Sequence, residues 1–172
     1  MIRRFEYVGP TEVRERAVQA PPGLLIRSHE ELFPWLRDAS NDVTHEGGWV
    51  TYVVNLNGDL LLAPRRTEHV ACARGAAVLA AGEIRFSTRG DVLEVTNNST
   101  GYCPAEDCWE SVRLALDRAG LGRPPNFTFL ARFRRCPACG ERNLVKDDWY
   151  QCALCDADLP IVWNFGEPSA DG

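Results

Sequence analysis

Alternating apolar and polar positions in the middle of the chain predict two antiparallel β-hairpins. The first joins residues 49–56 to residues 59–63 through Asn57-Gly58, a pair typical of a type I′ turn because both central residues need positive φ. The second joins residues 83–88 to residues 92–96 through a turn at Arg89-Gly90-Asp91. This part of the chain is therefore β-rich, and its strands follow one another closely enough to pair antiparallel.

Helical spacing is clearest after Pro104, where Trp109, Val112, Leu116 and Ala119 recur on one face and Gly120 follows as a C′ residue. This pattern predicts the main helix. Shorter helices are predicted over residues 11–20 and after Ser28, where Ser28 and Glu31 form a capping box and Pro34 divides the helix. Short strands are predicted at residues 3–8, 127–133, 149–151 and 161–163.

Four cysteines near the C-terminus have the spacing of a zinc ribbon. Cys136 and Cys139 form one CxxC turn, and Cys152 and Cys155 form a second one twelve residues later. Each turn can place two thiolates on one metal, and a short hairpin brings the turns together around a tetrahedral Zn²⁺. A redox dithiol is less consistent with the sequence, because one CxxC would suffice and no βαβ pattern surrounds either.

These elements together predict an α+β fold of antiparallel β-hairpins with one main helix, followed by a C-terminal zinc ribbon with four cysteine ligands. We expect an α+β domain over residues 1–126, called the main body below. The ribbon follows over residues 127–166, and residues 167–172 form a tail. Structural Zn²⁺ is the expected cofactor, held by Cys136, Cys139, Cys152 and Cys155.

The charge distribution narrows the choice of partners. The net charge is −5, and residues 1–135 are balanced with 17 basic and 17 acidic side chains, so the whole excess lies beyond Arg135. A nucleic-acid-binding surface has to neutralise phosphates, and this acidic segment would repel them. No apolar run approaches the length of a membrane span, and residues 1–6 carry no leader-like apolar stretch. Together with three further thiols, these features predict a cytoplasmic protein without nucleic-acid or membrane partners.

Candidate chemistry upstream of the ribbon lies between His69 and Pro104. Small residues crowd residues 71–82, which indicates close packing or close approach of a ligand, and the polar run at residues 97–100 leads from a strand into a helix, where backbone amides suit an anion. An enzymatic site would use His69 as acid/base and Glu83 as its carboxylate partner or as a second base, with Asn97, Ser99 and Tyr102 as substrate donors. Surface, turn and core roles are the structural alternative for the same residues.

A second metal site is also open, because His69, Cys72, Cys103 and Cys108 would supply three sulfur ligands and one nitrogen ligand. Cys108 falls in the predicted main helix, which argues against such a site. Cys103, near a helix start, is either an activated thiol or a buried inert one.

The segment from His69 to Pro104 resembles a segment of plant IQ-motif calmodulin-binding proteins and of the C-terminal domains of some bacterial polymorphic toxins. The similarity rests on His69, the run Ala80-Ala81-Gly82-Glu83, the following hairpin, and Asn97, Ser99, Tyr102 and Pro104. The relatives carry a histidine before the tyrosine, where this chain has Gly101. The whole chain also resembles a set of uncharacterised bacterial zinc-ribbon proteins. These resemblances imply a shared architecture and carry no established activity.

Two functions remain open from the sequence. The first is a cytoplasmic zinc-binding protein that binds a small molecule or a protein as a regulatory module. The second is an enzyme that acts on a nucleotide-like or other small substrate at the face between His69 and Tyr102. They differ in whether His69, Glu83, Ser99 and Tyr102 line one pocket.

Overall fold

The computed structural model describes residues 2–166, and its centre is a five-stranded antiparallel sheet with the strand order β1-β3-β2-β4-β5. The α+β fold with a C-terminal four-cysteine ribbon is confirmed. Every helix within residues 2–166 is too short or too polar to cross a bilayer. The elements in chain order are α1 (Thr11–Gln19), β1 (Leu24–Ile26), α2 (His29–Arg37), β2 (Trp49–Val54), β3 (Leu60–Pro64), α3 (His69–Cys72), β4 (Ala80–Phe86), β5 (Val92–Val95), α4 (Trp109–Arg118), β6 (Arg132–Arg135) and β7 (Arg142–Val145).

The central strand β2 is buried along almost its whole length because helices cover both of its faces. Successive residues of a strand point to opposite faces of the sheet. Tyr52 lies near Cys108 at the start of α4, whereas the next residue, Val53, lies near Cys72 of α3. Both residues are inaccessible to solvent, which accounts for the nearly continuous apolar composition of this strand.

The first predicted hairpin forms, but its turn is not of type I′. Only Gly58 of the Asn57-Gly58 pair has a positive φ, of 78°. The loop is wider than predicted, because the Asn55 side chain accepts hydrogen bonds from the backbone N–H groups of Asn57 and Asp59, each at 2.9 Å. The asparagine side chain therefore organises the turn that the sequence pattern had assigned to two backbone dihedrals.

The main helix forms as predicted from its spacing, although a 3₁₀ turn (Glu106–Cys108) precedes it and α4 starts at Trp109. Gly120 ends the helix in the left-handed conformation, with φ 67°. The Leu121 N–H then donates to the Leu116 carbonyl at 3.0 Å, which is the closing bond of a glycine-terminated helix.

Several local predictions are wrong. The strand predicted over residues 127–133 begins only at Arg132, as β6, and Phe129 before it contributes a single bridge to Thr96. Residues 3–8 form no strand: their one bridge joins Phe5 to Val78, and the Phe5 side chain is buried in the core. Pro34 does not divide α2, which runs without interruption to Arg37. In the ribbon, residues 149–151 contribute one bridge to Asp158, and residues 161–163 form no strand.

Candidate metal centre

The four ribbon cysteines converge on one point. The sulfurs of Cys136 and Cys155 lie 3.6 Å apart, as do those of Cys139 and Cys152, and all four lie within 4.8 Å of one another. Four thiolates at the usual Zn–S distance of about 2.3 Å occupy tetrahedral corners separated by about 3.8 Å. The cluster therefore has the size and the donor set of a metal site.

Each CxxC segment is a turn of the same construction. In the first turn the Cys136 N–H donates to the Glu141 carbonyl (2.8 Å) and the Gly140 N–H donates to the Cys136 carbonyl (2.9 Å). In the second turn the N–H of Cys152 donates to the carbonyl of Ala157 (2.8 Å), and the N–H of Asp156 to that of Cys152 (3.0 Å).

The fifth residue of each turn has a left-handed backbone, with φ 78° at Gly140 and 60° at Asp156. This conformation lets the chain curl around the two sulfurs and continue into the next strand. The first turn connects β6 to β7, and the second lies between Gln151 and its bridge partner Asp158.

Hydrogen-bond donors favour the thiolate at one cysteine of each turn, Cys136 and Cys152, whereas burial and the neighbouring cysteines raise the pKa of Cys139 to about 12 and also raise that of Cys155. The backbone N–H groups of Cys139 and Ala138 lower the pKa of Cys136. Burial opposes charge on Cys152, but the backbone N–H groups of Leu154 and Cys155 outweigh it and lower the pKa of Cys152 to about 6. Thiolates are the species that bind metal, so each turn supplies one cysteine that ionises readily and one whose proton a bound cation would have to displace.

The side chain of Asn143 joins the second turn to β7. Its Nδ2 lies 3.5 Å from the Cys152 sulfur, and its Oδ1 accepts the Ala153 N–H at 2.9 Å. Such contacts outside the ligand set hold ligands in the orientation that a metal requires. Asn143 is 6% exposed, so these bonds are protected from competition with water.

His69 stands at the start of α3 and turns toward the sheet. Its Nε2 donates to the Gly82 carbonyl at 2.9 Å. Burial lowers the pKa of His69, and this effect outweighs the opposing effects of the Gly82 carbonyl and of Glu83 and Glu68. The ring is therefore neutral near pH 7 and is held by a backbone acceptor.

Glu83 lies on β4 and belongs to a group of ion pairs. Its carboxylate lies 3.3 Å from the Arg65 guanidinium, which also contacts Glu46 at 3.3 Å, and Arg66 contacts Glu46 at 3.1 Å. These ion pairs therefore hold the Glu83 side chain in place beside β4.

Tyr102 is 1% exposed, and its hydroxyl donates to the Ala76 carbonyl at 2.6 Å. Burial raises the pKa of Tyr102 above its ordinary value. The ring packs edge-to-face on Tyr7, with centroids 5.7 Å apart. These contacts tie the hydroxyl to the main chain within the core.

Asn97 joins the main body to the ribbon. Its Nδ2 donates to the Ala131 carbonyl at 2.8 Å, and its Oδ1 accepts the Ala131 N–H at 2.6 Å. Both residues are 0% exposed. Ser99 is equally buried, and its hydroxyl is the one buried side-chain polar atom within residues 2–166 that has no hydrogen-bond partner.

Tyr102 does not share its cleft with the other four upstream residues. The cleft is lined by Tyr102 with Phe5 and Trp163, and His69, Glu83, Asn97 and Ser99 lie outside it. Their polar atoms, apart from the Ser99 hydroxyl, contact groups of the protein itself. The small residues of β4 are explained by packing, because a Cβ at Gly82 would lie 2.1 Å from the Thr96 carbonyl oxygen.

The possible second metal site, built from His69 and three cysteines, does not form. Within residues 2–166, the ribbon cysteines are the one group of three or more His, Cys, Asp or Glu side chains placed to share a metal ion. Cys72 contacts the Leu61 carbonyl at 3.8 Å, and Cys103 contacts the Thr100 carbonyl at 3.3 Å. Burial raises the pKa of Cys72 and of Cys103 to about 12, so both are inert thiols.

Sequence reasoning missed the residues that fasten the ribbon. The Arg134 side chain is 4% exposed, and its guanidinium binds the Glu106 carboxylate at 2.8 Å and the carbonyls of Pro160 and Ile161 at 2.6 to 3.1 Å. The Asn164 side chain exchanges two bonds with the backbone of Arg135, each 2.8 Å long. The signal in the sequence is the run of arginines at residues 132–135, in which nothing distinguishes the buried Arg134 from the partly exposed arginines on either side.

Comparisons of the chain with protein-family models, with curated proteins and with solved structures find no match. The resemblances to IQ-motif proteins, to polymorphic toxins and to bacterial zinc-ribbon proteins stay predictions. The four-cysteine cluster that can hold a metal ion is the feature on which a function can be built.

Proposed function

We propose that this chain is a cytoplasmic zinc-binding protein whose ribbon docks onto another protein. Zn²⁺ is the ion that best suits the ribbon, because four thiolates in tetrahedral reach are typical of structural zinc sites and leave no coordination position for a substrate. The reducing compartment follows from the same chemistry, since all seven cysteines are unpaired and four of them have to stay reduced to bind metal.

The exposed apolar side chains of the ribbon carry the docking proposal. Within residues 2–166, the large apolar side chains that are more than 60% exposed are Trp149, Leu154, Ile161 and Val162, at 67 to 76%, and all four lie in the ribbon. A structural brace alone has no need of such residues. Exposed tryptophan and aliphatic side chains are typical of anchors in protein interfaces.

Three of these side chains lie on neighbouring segments of the ribbon. The Leu159 N–H donates to the Tyr150 carbonyl, and Gln151 bridges Asp158 in an antiparallel arrangement. Continued by one residue, this register places Trp149 opposite Pro160, which Ile161 and Val162 follow in the chain. We call Trp149, Ile161 and Val162 the apolar strip.

The charge around the apolar strip defines the partner. Residues 136–166 contain five carboxylates and two basic side chains, and a Zn²⁺ held by four thiolates adds two further negative charges. Of these carboxylates, Asp148 alone forms an ion pair within the described residues, with Arg132 at 2.6 Å. The complementary partner is a protein surface or segment with basic residues around apolar anchors, since opposite potentials favour encounter.

Metal analysis tests the first half of the proposal. Protein purified without added metal should contain one zinc per chain, and Cys139→Ser should lower that content. A stoichiometric content of iron with visible thiolate-to-iron absorption would contradict zinc while leaving the four-cysteine site intact.

Peptide binding tests the second half. One probe is a helical peptide of lysine and leucine, and its counterpart carries glutamate at every lysine position. The basic peptide should bind, more weakly as salt rises, and Trp149→Ser with Ile161→Ser should weaken binding by about tenfold or more. Val18→Ser with Leu24→Ser is the matched control, because these side chains are 43 and 47% exposed on the main body. Equal binding of the acidic peptide, or equal loss in both double variants, would refute docking by the strip.

A further inference from the structure

We propose that a cleft in the main body binds a small anionic molecule with an apolar body. The cleft lies between the C-terminal end of α2, the loop at residues 43–48 and the hairpin of β4 and β5, and its volume is about 580 Å³. Pockets of roughly 300 to 1,000 Å³ are typical of small-molecule sites. No residue of the ribbon lines it, so this site is independent of the docking function.

The floor of the cleft is apolar. Leu36, Val43 and Phe86 line it and are each at least 92% buried, and Leu93 forms a partly exposed wall at 42%. An apolar floor beneath an open mouth gains free energy by covering hydrocarbon or aromatic surface of a ligand. The apolar floor therefore favours a ligand with a hydrocarbon or aromatic body.

The charged residues of the cleft favour a ligand with a negative charge. Its only ionisable lining side chains are Arg37 and Arg85, and no carboxylate is among the lining residues. Arg85 pairs with Glu94 at the margin of the cleft. Arg37 forms no ion pair within the described residues and lies over the Phe33 ring, 5.0 Å from its centroid. A guanidinium without a carboxylate partner at the edge of an apolar cleft suits a carboxylate or sulfonate.

The cleft is built on rigid backbone. Gly48 has φ 86°, its carbonyl accepts the Phe86 N–H at 2.9 Å, and a Cβ at this position would lie 2.3 Å from the Phe86 carbonyl oxygen. The loop therefore lies directly against β4, and only glycine permits this approach. The sequence signal that could have found the site is the Gly47-Gly48 pair before β2.

Amide NMR of the whole chain with zinc present tests the site. Octanoate is the probe, and octylammonium is the control with the same alkyl chain and the opposite charge. Octanoate should cause saturable shifts at Gly47, Gly48, Ser87 and Leu93. Octylammonium should cause much smaller ones.

Two variants and a control distinguish this site from binding elsewhere. Arg37→Gln should weaken octanoate by about tenfold, since a charge-assisted contact is lost, whereas Arg27→Gln, which changes an exposed arginine outside the cleft, should leave it unchanged. Leu93→Trp should fill the cleft and abolish the shifts without unfolding the chain. Equal shifts from octylammonium, shifts dispersed over the surface, no saturation at millimolar octanoate, or insensitivity to both variants would each overturn the proposal.

Discussion

Removing the Asn97 side chain should destabilise the protein far more than removing the chemically equivalent Asn164. Each asparagine exchanges two hydrogen bonds with the backbone of one residue, Ala131 or Arg135. The first pair of residues is fully buried, whereas the second is half-buried. The comparison therefore isolates burial as the variable.

The magnitude follows from what each truncation leaves behind. Asn97→Ala strands a buried N–H and a buried carbonyl on Ala131, and each unsatisfied group costs roughly 1 to 3 kcal/mol, so we expect a loss of about 3 kcal/mol. Asn164→Ala leaves groups that water can reach, and we expect a loss of about 1 kcal/mol. Urea unfolding in zinc-containing buffer measures both, and the Asn97→Ala midpoint should fall by about 1.5 M.

A titratable replacement sharpens the experiment. In the Asn97→Asp variant, the ionised side chain can accept from the Ala131 N–H but cannot donate to its carbonyl. Protonation restores the donor, so the folded-state pKa of the introduced carboxyl lies above its unfolded value of about 3.9. Its stabilising contribution is present at low pH and is lost as pH rises through the folded pKa. Equal losses in the two alanine variants, or no gain of the Asp variant over Asn97→Ala on acidification to about pH 5, would refute the reasoning.

Three further predictions concern the metal, the backbone of the cysteine turns and the protonation of His69. Chelation or Cys139→Ser should unfold residues 136–166, because metal binding supplies their folding free energy, while amides of β2 and β4 stay protected in hydrogen exchange; retained ribbon protection would contradict this. Gly140→Ala should cost about 1 kcal/mol in urea unfolding, since φ is 78° and no atom crowds the site, and Asp156→Gly should be close to neutral; equal effects would exclude the left-handed backbone as the cause. Burial lowers the pKa of His69, so the stability that depends on its neutral form is fully present above about pH 6.5 and is lost as pH falls through the folded pKa. His69→Gln should therefore show a flatter dependence of unfolding free energy on pH over this range, and parallel profiles would contradict the prediction.

Features encoded over short distances were predictable from the sequence. The two CxxC turns converge as their spacing requires, and Gly120 ends α4 as a glycine at C′ should. The hairpin of β4 and β5 follows from alternation and a three-residue turn. In each case the interacting residues are close in sequence, so a local sequence pattern is enough to predict their contact.

Roles that depend on distant backbone were not predictable. Asn97 looked like a ligand donor because it follows a strand, yet its partner Ala131 is 34 residues away. His69 looked like an acid or base, yet it donates to the Gly82 carbonyl on the neighbouring β4. A polar side chain in a core is equally suited to a substrate and to an unpaired backbone group, and only the tertiary arrangement decides between them.

The two asparagines that hold β6 also close its outer edge to other chains. The Cys136 N–H points toward β7, so by alternation the backbone groups of Ala131, Phe133 and Arg135 point away from it. Asn97, the Arg134 guanidinium and Asn164 bind groups on these three residues in turn. An unprotected edge is a template for intermolecular strand addition and aggregation. Side chains here block that template without adding a strand, so loss of either asparagine would make the ribbon prone to assembly through β6.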